Sequence, residues 1–408
     1  MASLSTHWER IGSICDERDP DRDRSGKLAA DMNKNILHLL CCPVCSGTLN
    51  FAGELEYLRS NSGALRIQAG VLACASCGTK YPILDCIPRL VRPELFTPEE
   101  KLAIQRPTCG TTRADVVRDM DETERQAAIR EKLLAKYKLD SIAGPALRSR
   151  AERDLEYRLK YTEKREKVVE TAVPYLSAPP RVILEVGGGQ GGLSTCFRKR
   201  FLPEAAIAVD LDIFFSEVSV LRDPEVQIIR ADGTNLPLRT GSVDLVVTTS
   251  VLEHIFDWRR TLAEIVRVSK QALIGYGPNG MFCYDWGHTD SFFIWFMPPS
   301  FNVALARIWH ILRRTGRSTA SLRAELTGTF YLPRFLVVRE LKKHGRVRNV
   351  FRDFMRHSVN ADYHYIGGRA KRFLARHPRV LESLSGAAVL FGVEPMVYLF
   401  SDSGSDHK

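Results

Sequence analysis

The stretch RVILEVGGGQGGLSTCF, beginning at Arg181, restricts the possible folds of this chain more than any other. Val182, Ile183, Leu184 and Val186 read as a short buried strand around one carboxylate, Glu185. Five glycines in the six residues from 187 to 192 then remove nearly every side chain, and LSTCFRKRF resumes as a helix. Strand, glycine turn and helix open a parallel βαβ unit, in which bare backbone and a helix N-terminus can approach a ligand closely. A second strand, AAIAVDLD, places Asp210 23 residues after Gly187, the position of a ribose-binding acid in nucleotide folds. Gly187, Gly189 and Gly192 also satisfy G-x-G-x-x-G, a pattern that alone does not separate a dinucleotide from another adenosine cofactor.

The residues that follow make the separation. Glu185, Gly187, Gly189 and Gly191 form E-x-G-x-G-x-G, with the acid inside the strand. A carboxylate there suits a cofactor carrying a sulfonium and an ammonium better than one carrying a pyrophosphate. In IIRADGTNLPLRTGSVDLVVTTSVLEHIFDW, Asp232 ends a third strand, SVDLVVTTS is a fourth, and VLEHI is expected to open the next helix. ALIGYGPN is a fifth strand ending at Pro278-Asn279.

The run from Val182 to Asn279 resembles the class I S-adenosylmethionine-dependent methyltransferases of the type-11 kind. Their usual blocks, VLEVGCGTG, GVDLS, DAxxLPFxDxSFDVV, VLEH and TPN, have counterparts here in the same order. Gln190 replaces the common Thr, Asp212 the common Ser, and VSKQA shortens the usual L-x-P-G-G loop. The resemblance implies an α/β fold with a Rossmann-like doubly wound sheet. It implies S-adenosylmethionine as cofactor, with Glu185, Gly187, Gly189 and Gly191 lining its methionine end. Asp210 would hold the ribose, Asp232 and the backbone of Gly233 would meet adenine, and Ser250 would lie near the sulfonium. Methyl transfer is an in-line displacement that positioning alone can largely accelerate. Where a general base is needed, His288 in DWGHTDSFF, beyond the fifth strand, is the first candidate and His254 in VLEH the second.

Upstream, Cys42 and Cys45 in CCPVCSGTL and Cys74 and Cys77 in CASCGTKYPILDCIPRL form two C-x-x-C pairs 28 residues apart. Four thiolates on two tight turns can converge on a structural zinc. Gly47 and Gly78 stand where such turns need small residues, Cys41 is an alternative ligand to Cys42, and Cys86 reads as a small core residue. The segment resembles the zinc-ribbon domain of the tRNA-methyltransferase-activator family, with Cys86 standing where that family usually has glycine.

These signals divide the chain into a disordered lead-in (1–34), a zinc ribbon (35–95), a charged helical connector (96–175) and a methyltransferase core (176–280). A basic, aromatic helical insertion (281–387), a closing strand (388–402) and a tail (403–408) complete it. In the connector, Tyr157 and Tyr161 stand one turn apart, as core residues or as a lean over the pocket. From Phe301 to Glu382 there are 18 Lys and Arg against five Asp and Glu, more net charge than the +10 of the whole chain. With Phe292, Phe293, Trp295, Phe296 and Trp309 just upstream, this block fits an anionic membrane interface or a lid over a lipid-like acceptor. Nucleic acid fits less well, because aromatic and basic residues do not interleave. An internally packed cap is the structural alternative. With no apolar leader and no 18-residue apolar run, the chain is expected to be cytoplasmic, or peripheral on the inner face of a membrane. The expected function is methylation of an oxygen or nitrogen on a small-molecule or lipid- or glycan-linked acceptor. The alternatives are an RNA methyltransferase using the ribbon and basic block, and a non-catalytic interaction protein.

Overall fold

The computed structural model describes residues 36–59, 65–105, 122–137 and 165–402, apart from 190, 213, 215–217, 219–221, 224, 286–287 and 361–372. The expected disordered lead-in, Tyr157 and Tyr161, and the tail lie outside the described residues.

The ribbon is a four-stranded antiparallel sheet of β1 (Leu49–Arg59), β2 (Leu65–Cys74), β3 (Lys80–Leu84) and β4 (Ile87–Pro88), in that order. Asp85 and Cys86, which join β3 to β4, both hold left-handed φ angles of 53° and 62°. The turn that glycine usually makes is therefore kept, with a buried cysteine carrying the strain.

The core sheet has seven strands. Five are parallel: β5 (Val182–Val186), β6 (Ala205–Asp210), β7 (Gln227–Arg230), β8 (Val243–Thr249) and β9 (Ser269–Tyr276). They are mostly buried and mainly apolar because helices cover both faces. The sheet order is β12-β13-β9-β8-β5-β6-β7, where β12 is Arg346–Asn349 and β13 (Val397–Asp402) enters antiparallel to β9. On β5 the two faces part residue by residue. Ile183 packs with Val168, Phe197 and Phe354 on one side, while Leu184 packs with Leu262, Ile265 and Val337 on the other. The first side is built from α3 (Glu166–Ala172), α4 (Gly192–Phe201) and α9 (Phe351–Asn360). The second uses α5 (Trp258–Val268) and α8 (Arg334–Leu341).

The second core continues without a break into the ribbon, reaching Leu49, Ile67, Tyr81 and Leu90. The ribbon meets the edge of the sheet at β7 through a parallel bridge between Arg89 and Arg230, and the loop after β7 through an antiparallel bridge between Leu40 and Leu238. Of the connector, α1 (Pro98–Gln105), α2 (Glu122–Tyr137) and α3 are described.

Two expectations change. VLEHI does not open a helix: Leu252–His254 make one 3-10 turn, and α5 starts at Trp258 with Asp257 as its cap. The insertion is mainly helical, with α6 (Pro299–Leu312), α7 (Thr319–Gly328), α8 and α9, but it also contributes strands. β10 (Tyr284–Asp285) and β11 (Ser291–Phe292) form a small hairpin, and β12 (Arg346–Asn349) is the outermost strand of the core sheet. The last helix, α10 (Pro378–Phe391), runs through the boundary drawn at 387.

Two of the basic residues that follow α6 are engaged locally rather than held out to a partner. Arg317 turns inward to Glu325 and to the carbonyls of His288 and Thr289, both at 2.9 Å. Arg313 pairs with Asp290 and lies over the Trp309 ring. α6 and α7 share a small core of Val303, Ala306, Leu322 and Leu326, which favours the cap alternative for this part. Among the described residues no helix is long and apolar enough to cross a membrane.

Candidate active site and metal centre

The glycine loop leaves β5 and enters α4. Gly187, Gly189 and Gly191 all have left-handed φ angles, of 70°, 50° and 72°. At Gly187 a Cβ would also stand 2.2 Å from Val251 Cγ2, so both conformation and space demand glycine. Among the described residues, a Cβ at Gly189 would meet nothing nearer than 3.9 Å. The amide of Gly189 donates to Asp210 Oδ2 at 2.8 Å, and the amide of Asp212 donates to Asp210 Oδ1 at 2.9 Å. Burial raises the Asp210 carboxyl above its usual value, against the pull of these two bonds. Glu185 is buried beneath the loop and accepts the Ser194 amide, in the first turn of α4, at 2.7 Å. Burial pushes its carboxyl up to about 7, with the Ser194 bond and the nearby Arg165 charge opposing. Asp232 accepts from the amide and hydroxyl of Thr234, both at 2.8 Å. Gly233 packs beneath Ile255 and Val186, and Ser250 turns the chain off β8 with a φ of 58°. All eight expected cofactor-side residues thus lie at the ends of β5, β6, β7 and β8 or in the loops that leave them, the usual ligand crevice of a parallel sheet.

His254 and His288, 34 residues apart in sequence, meet beside this crevice. Their Nε2 atoms are 3.2 Å apart and their rings stand edge to face. His288 Nδ1 lies 3.2 Å from Asp285 Oδ1, and His254 Nδ1 lies 3.1 Å from the Gly328 carbonyl. Asp285 is buried, and its carboxylate also accepts from the amides of His288 and Thr289, the Thr289 hydroxyl and the Tyr331 hydroxyl. Burial alone would raise it, but these bonds and the His288 ring outweigh burial and hold it at about 2. Glu253, next to His254, is also buried. Its Oε1 accepts the Gly277 amide at 3.3 Å, while its Oε2 has no hydrogen-bond partner among the described residues. Glu253, His254 and His288 each bring one ligand atom to within 4.8 Å of the others.

The ribbon brings Cys42, Cys45, Cys74 and Cys77 together, all four sulfurs within 4.8 Å of one another. The Cys42–Cys77 and Cys45–Cys74 sulfurs are 3.7 and 3.4 Å apart. A zinc tetrahedron with bonds of about 2.3 Å has edges of about 3.8 Å, so the four thiols fit zinc with little movement. Amides two residues on, from Val44 and Ser76, point at Cys42 and Cys74, both at 3.4 Å. Gly47 is required by proximity, since a Cβ there would lie 2.9 Å from the Cys74 sulfur and 2.5 Å from Ser76 Oγ. Cys41 is outside the cluster, because its amide is tied to the Pro237 carbonyl at 3.0 Å and turns it toward the core.

Four contributors escaped the sequence. Arg165 reaches Thr249 at the end of β8, 3.3 Å away, and lies near Glu185. It stands in a run crowded with arginines, and nothing marks it there. Arg317 fastens the His288 turn from 29 residues away. Asp285 carried a readable signal, the D-x-x-H spacing that sets a carboxylate beside an imidazole. Glu253 was hidden inside a motif read for its histidine.

Residues 184–272 match the family described as a methyltransferase domain, and residues 33–85 match the Trm112p-like protein family. A methyltransferase named as uncharacterized, from Mycobacterium sp. (strain JLS), is 33% identical over 107 residues, which is 24% of this chain and 42% of that protein. A protein of Mycobacterium tuberculosis named a probable S-adenosylmethionine-dependent methyltransferase is 32% identical over 118 residues, 28% of this chain and 40% of its own length. The chain thus spans about two fifths of the curated relatives it matches. Among solved structures, a complex of the Haloferax volcanii Trm112 methyltransferase activator with a methyltransferase aligns at 9% identity and a TM-score of 0.38. It covers 61% of this chain and 94% of that one, a likeness too loose to add to the topology above.

Proposed function

We propose that this chain, a Trm112p-like ribbon joined to a methyltransferase domain, is an S-adenosylmethionine-dependent methyltransferase acting on a small-molecule or lipid- or glycan-linked acceptor. The observation that carries the reading is the 2.8 Å bond from Gly189 to Asp210, which joins the glycine loop of β5 to the acid of β6. It ties a glycine-rich turn to a carboxylate, and the room at the Gly189 Cβ position, where no described atom comes nearer than 3.9 Å, fits a ligand that approaches backbone.

In this reading Gly187, Gly189 and Gly191 shape the methionine end of the cofactor site, with Glu185 beneath them. Asp210 accepts the ribose hydroxyls, Asp232 and Gly233 bound the adenine, and Ser250 turns the chain beside the sulfonium. When bound, the cofactor supplies an electrophilic methyl carbon. The chain's task is to hold an acceptor lone pair in line with it, at roughly 3 Å, and to exclude water. His254 and His288 stand on the acceptor side. The four ribbon cysteines hold a structural zinc, which stabilises the ribbon against the β7 edge.

The Trm112p-like match favours RNA as a second acceptor class. The ribbon's place tells against it as an acceptor clamp, since it is docked on β7, whereas the histidines lie beyond β8 and β9. Calorimetry with S-adenosylmethionine tests the enzyme reading. Binding with a micromolar-range dissociation constant supports it, and no heat at high concentration turns the reading toward an interaction protein. Comparing metabolites and lipids of deletion and parent strains then tests the acceptor class, through features lighter by one methyl group. Salt-dependent RNA affinity would move the acceptor to RNA.

A further inference from the structure

The histidine pair poses a hydrogen-bonding problem. The Nδ1 of His288 faces a buried carboxylate and the Nδ1 of His254 faces a backbone carbonyl. Neither oxygen has a proton to give, so both Nδ1 atoms must be donors. In neutral rings both Nε2 atoms are then bare lone pairs, and they point at each other across 3.2 Å. Two lone pairs do not hold that separation unless something positive lies between them.

One shared proton would satisfy the two nitrogens and nothing else. It would leave Glu253 Oε2 buried and without a partner among the described residues, in a carboxylate that brings one oxygen within 4.8 Å of both nitrogens. A metal ion satisfies all three groups. With metal–nitrogen bonds of about 2.1 Å, a nitrogen separation of 3.2 Å corresponds to a ligand–metal–ligand angle of roughly 100°, between octahedral and tetrahedral values. The outer contacts are also those of metal-ligating histidines, whose second ring nitrogen donates to a carboxylate or a carbonyl. Here Asp285 and the Gly328 carbonyl fill those places. The His288 turn is further fastened by Arg317 on the carbonyls of residues 288 and 289, and by His310 on that of Thr289.

We propose that His254 Nε2, His288 Nε2 and the Glu253 carboxylate bind a divalent first-row transition cation of the zinc type, at the mouth of the crevice beyond β8 and β9. Two imidazoles exclude magnesium and calcium, which take oxygen ligands. Three protein ligands leave a position open, as catalytic rather than structural sites do.

The site stands without the methyl-transfer reading, but its task rests on that reading. A hydroxyl of the acceptor binds at the open position and, with its pKa lowered by the cation, gives its proton to solvent. The resulting oxyanion attacks the methyl carbon. An oxygen–carbon bond forms, the carbon–sulfur bond breaks, and the sulfur leaves as a neutral thioether. The acceptor atom is therefore oxygen.

The test uses the full-length protein with its ribbon zinc in place and cobalt(II) as the probe. The parent should take up one cobalt, with visible d–d absorption and no thiolate-to-cobalt charge-transfer band. Metal analysis after zinc loading should find about two zinc per chain in the parent and about one in His254→Ala and in Glu253→Gln. Cobalt affinity should fall at least about 100-fold in both variants. Melting temperature and S-adenosylmethionine affinity serve as fold controls, and His254, being exposed, is the variant least exposed to misfolding. A parent that binds no cobalt beyond the ribbon, or binds it equally well without His254, overturns the proposal. Cobalt binding without S-adenosylmethionine binding would keep the metal site and defeat the methyltransferase reading, and the converse result would do the reverse.

Discussion

Arg230, on the edge strand of the core sheet, grips Glu100 through one guanidinium nitrogen, 3.1 and 2.8 Å from the two carboxylate oxygens, with both side chains buried. The same guanidinium reaches the Leu95 carbonyl on the ribbon side and the Leu211 carbonyl on the core side. Arg89 of the ribbon lies 3.8 Å from Glu100 as well. One carboxylate thus sits between two buried cations where the two domains join.

Removing that carboxylate should be costly. Glu100→Leu leaves Arg89 and Arg230 buried beside each other, and losing one partner of a buried pair costs about 3–5 kcal/mol. Denaturant unfolding should show a loss of this size, with the ribbon separating from the core. Adding Arg230→Met should recover much of it. A variant as stable as the parent would show that water reaches the pair and that the junction does not depend on it.

The ribbon zinc supports a second prediction. Cys74→Ser should lose about one zinc per chain and melt the ribbon, because metal binding supplies most of the folding energy of such a small unit. Gly47→Ala should lower zinc occupancy without touching a ligand, since its Cβ would fall 2.9 Å from the Cys74 sulfur. Metal analysis and thermal melting read both. A metal-free Cys74→Ser protein with parental melting would show that the thiols merely pack.

What could be read in advance follows from how each element encodes its place. The parallel strands were legible because burial on both faces writes them as mainly apolar, β-branched runs, as in VILEV and VDLVVTT. β12 was not, because RVRN is a half-exposed edge strand, and its two arginines blend into a basic stretch. The zinc ligands were legible from spacing, except for the choice between Cys41 and Cys42. That choice is made by a backbone bond to Pro237, a residue nearly two hundred positions away. His254 and His288 were each singled out, but no local pattern shows that they face each other. The inward turn of Arg317 was equally invisible, since a buried arginine and a membrane-facing one look the same in sequence.

On the cofactor side, Asp210→Ala should weaken S-adenosylmethionine binding by about 1.5–3 kcal/mol, roughly 10- to 150-fold, because a buried site then loses its charged acceptor. It also frees the Gly189 amide and loosens the loop. Gly187→Ala should weaken binding further, from the clash with Val251 and the left-handed backbone together. NAD should bind neither form in calorimetry. Tight NAD binding by the parent would replace the cofactor assignment.

Glu185 makes the last prediction, in pH. Its carboxyl, ordinarily near 4.5, is raised to about 7 by burial in the folded chain. The folded state therefore holds this proton more tightly than the unfolded state. The stability it gives is complete below about 4.5 and is lost as pH rises through about 7, a difference of a few kcal/mol. Glu185→Gln keeps an oxygen for the Ser194 amide and should flatten this part of the stability–pH curve. Cofactor binding should run the other way. An ammonium above the buried acid favours the carboxylate, so binding releases a proton, and affinity should rise with pH by up to tenfold per unit until about 7. It should then turn down as the cofactor's own α-amino group deprotonates, near 7.7–8.0. In Glu185→Gln the rise should vanish and the affinity should be lower throughout. If calorimetry finds the parent's affinity flat between about pH 5.5 and 7, Glu185 only braces α4 through Ser194 and takes no part in holding the methionine end.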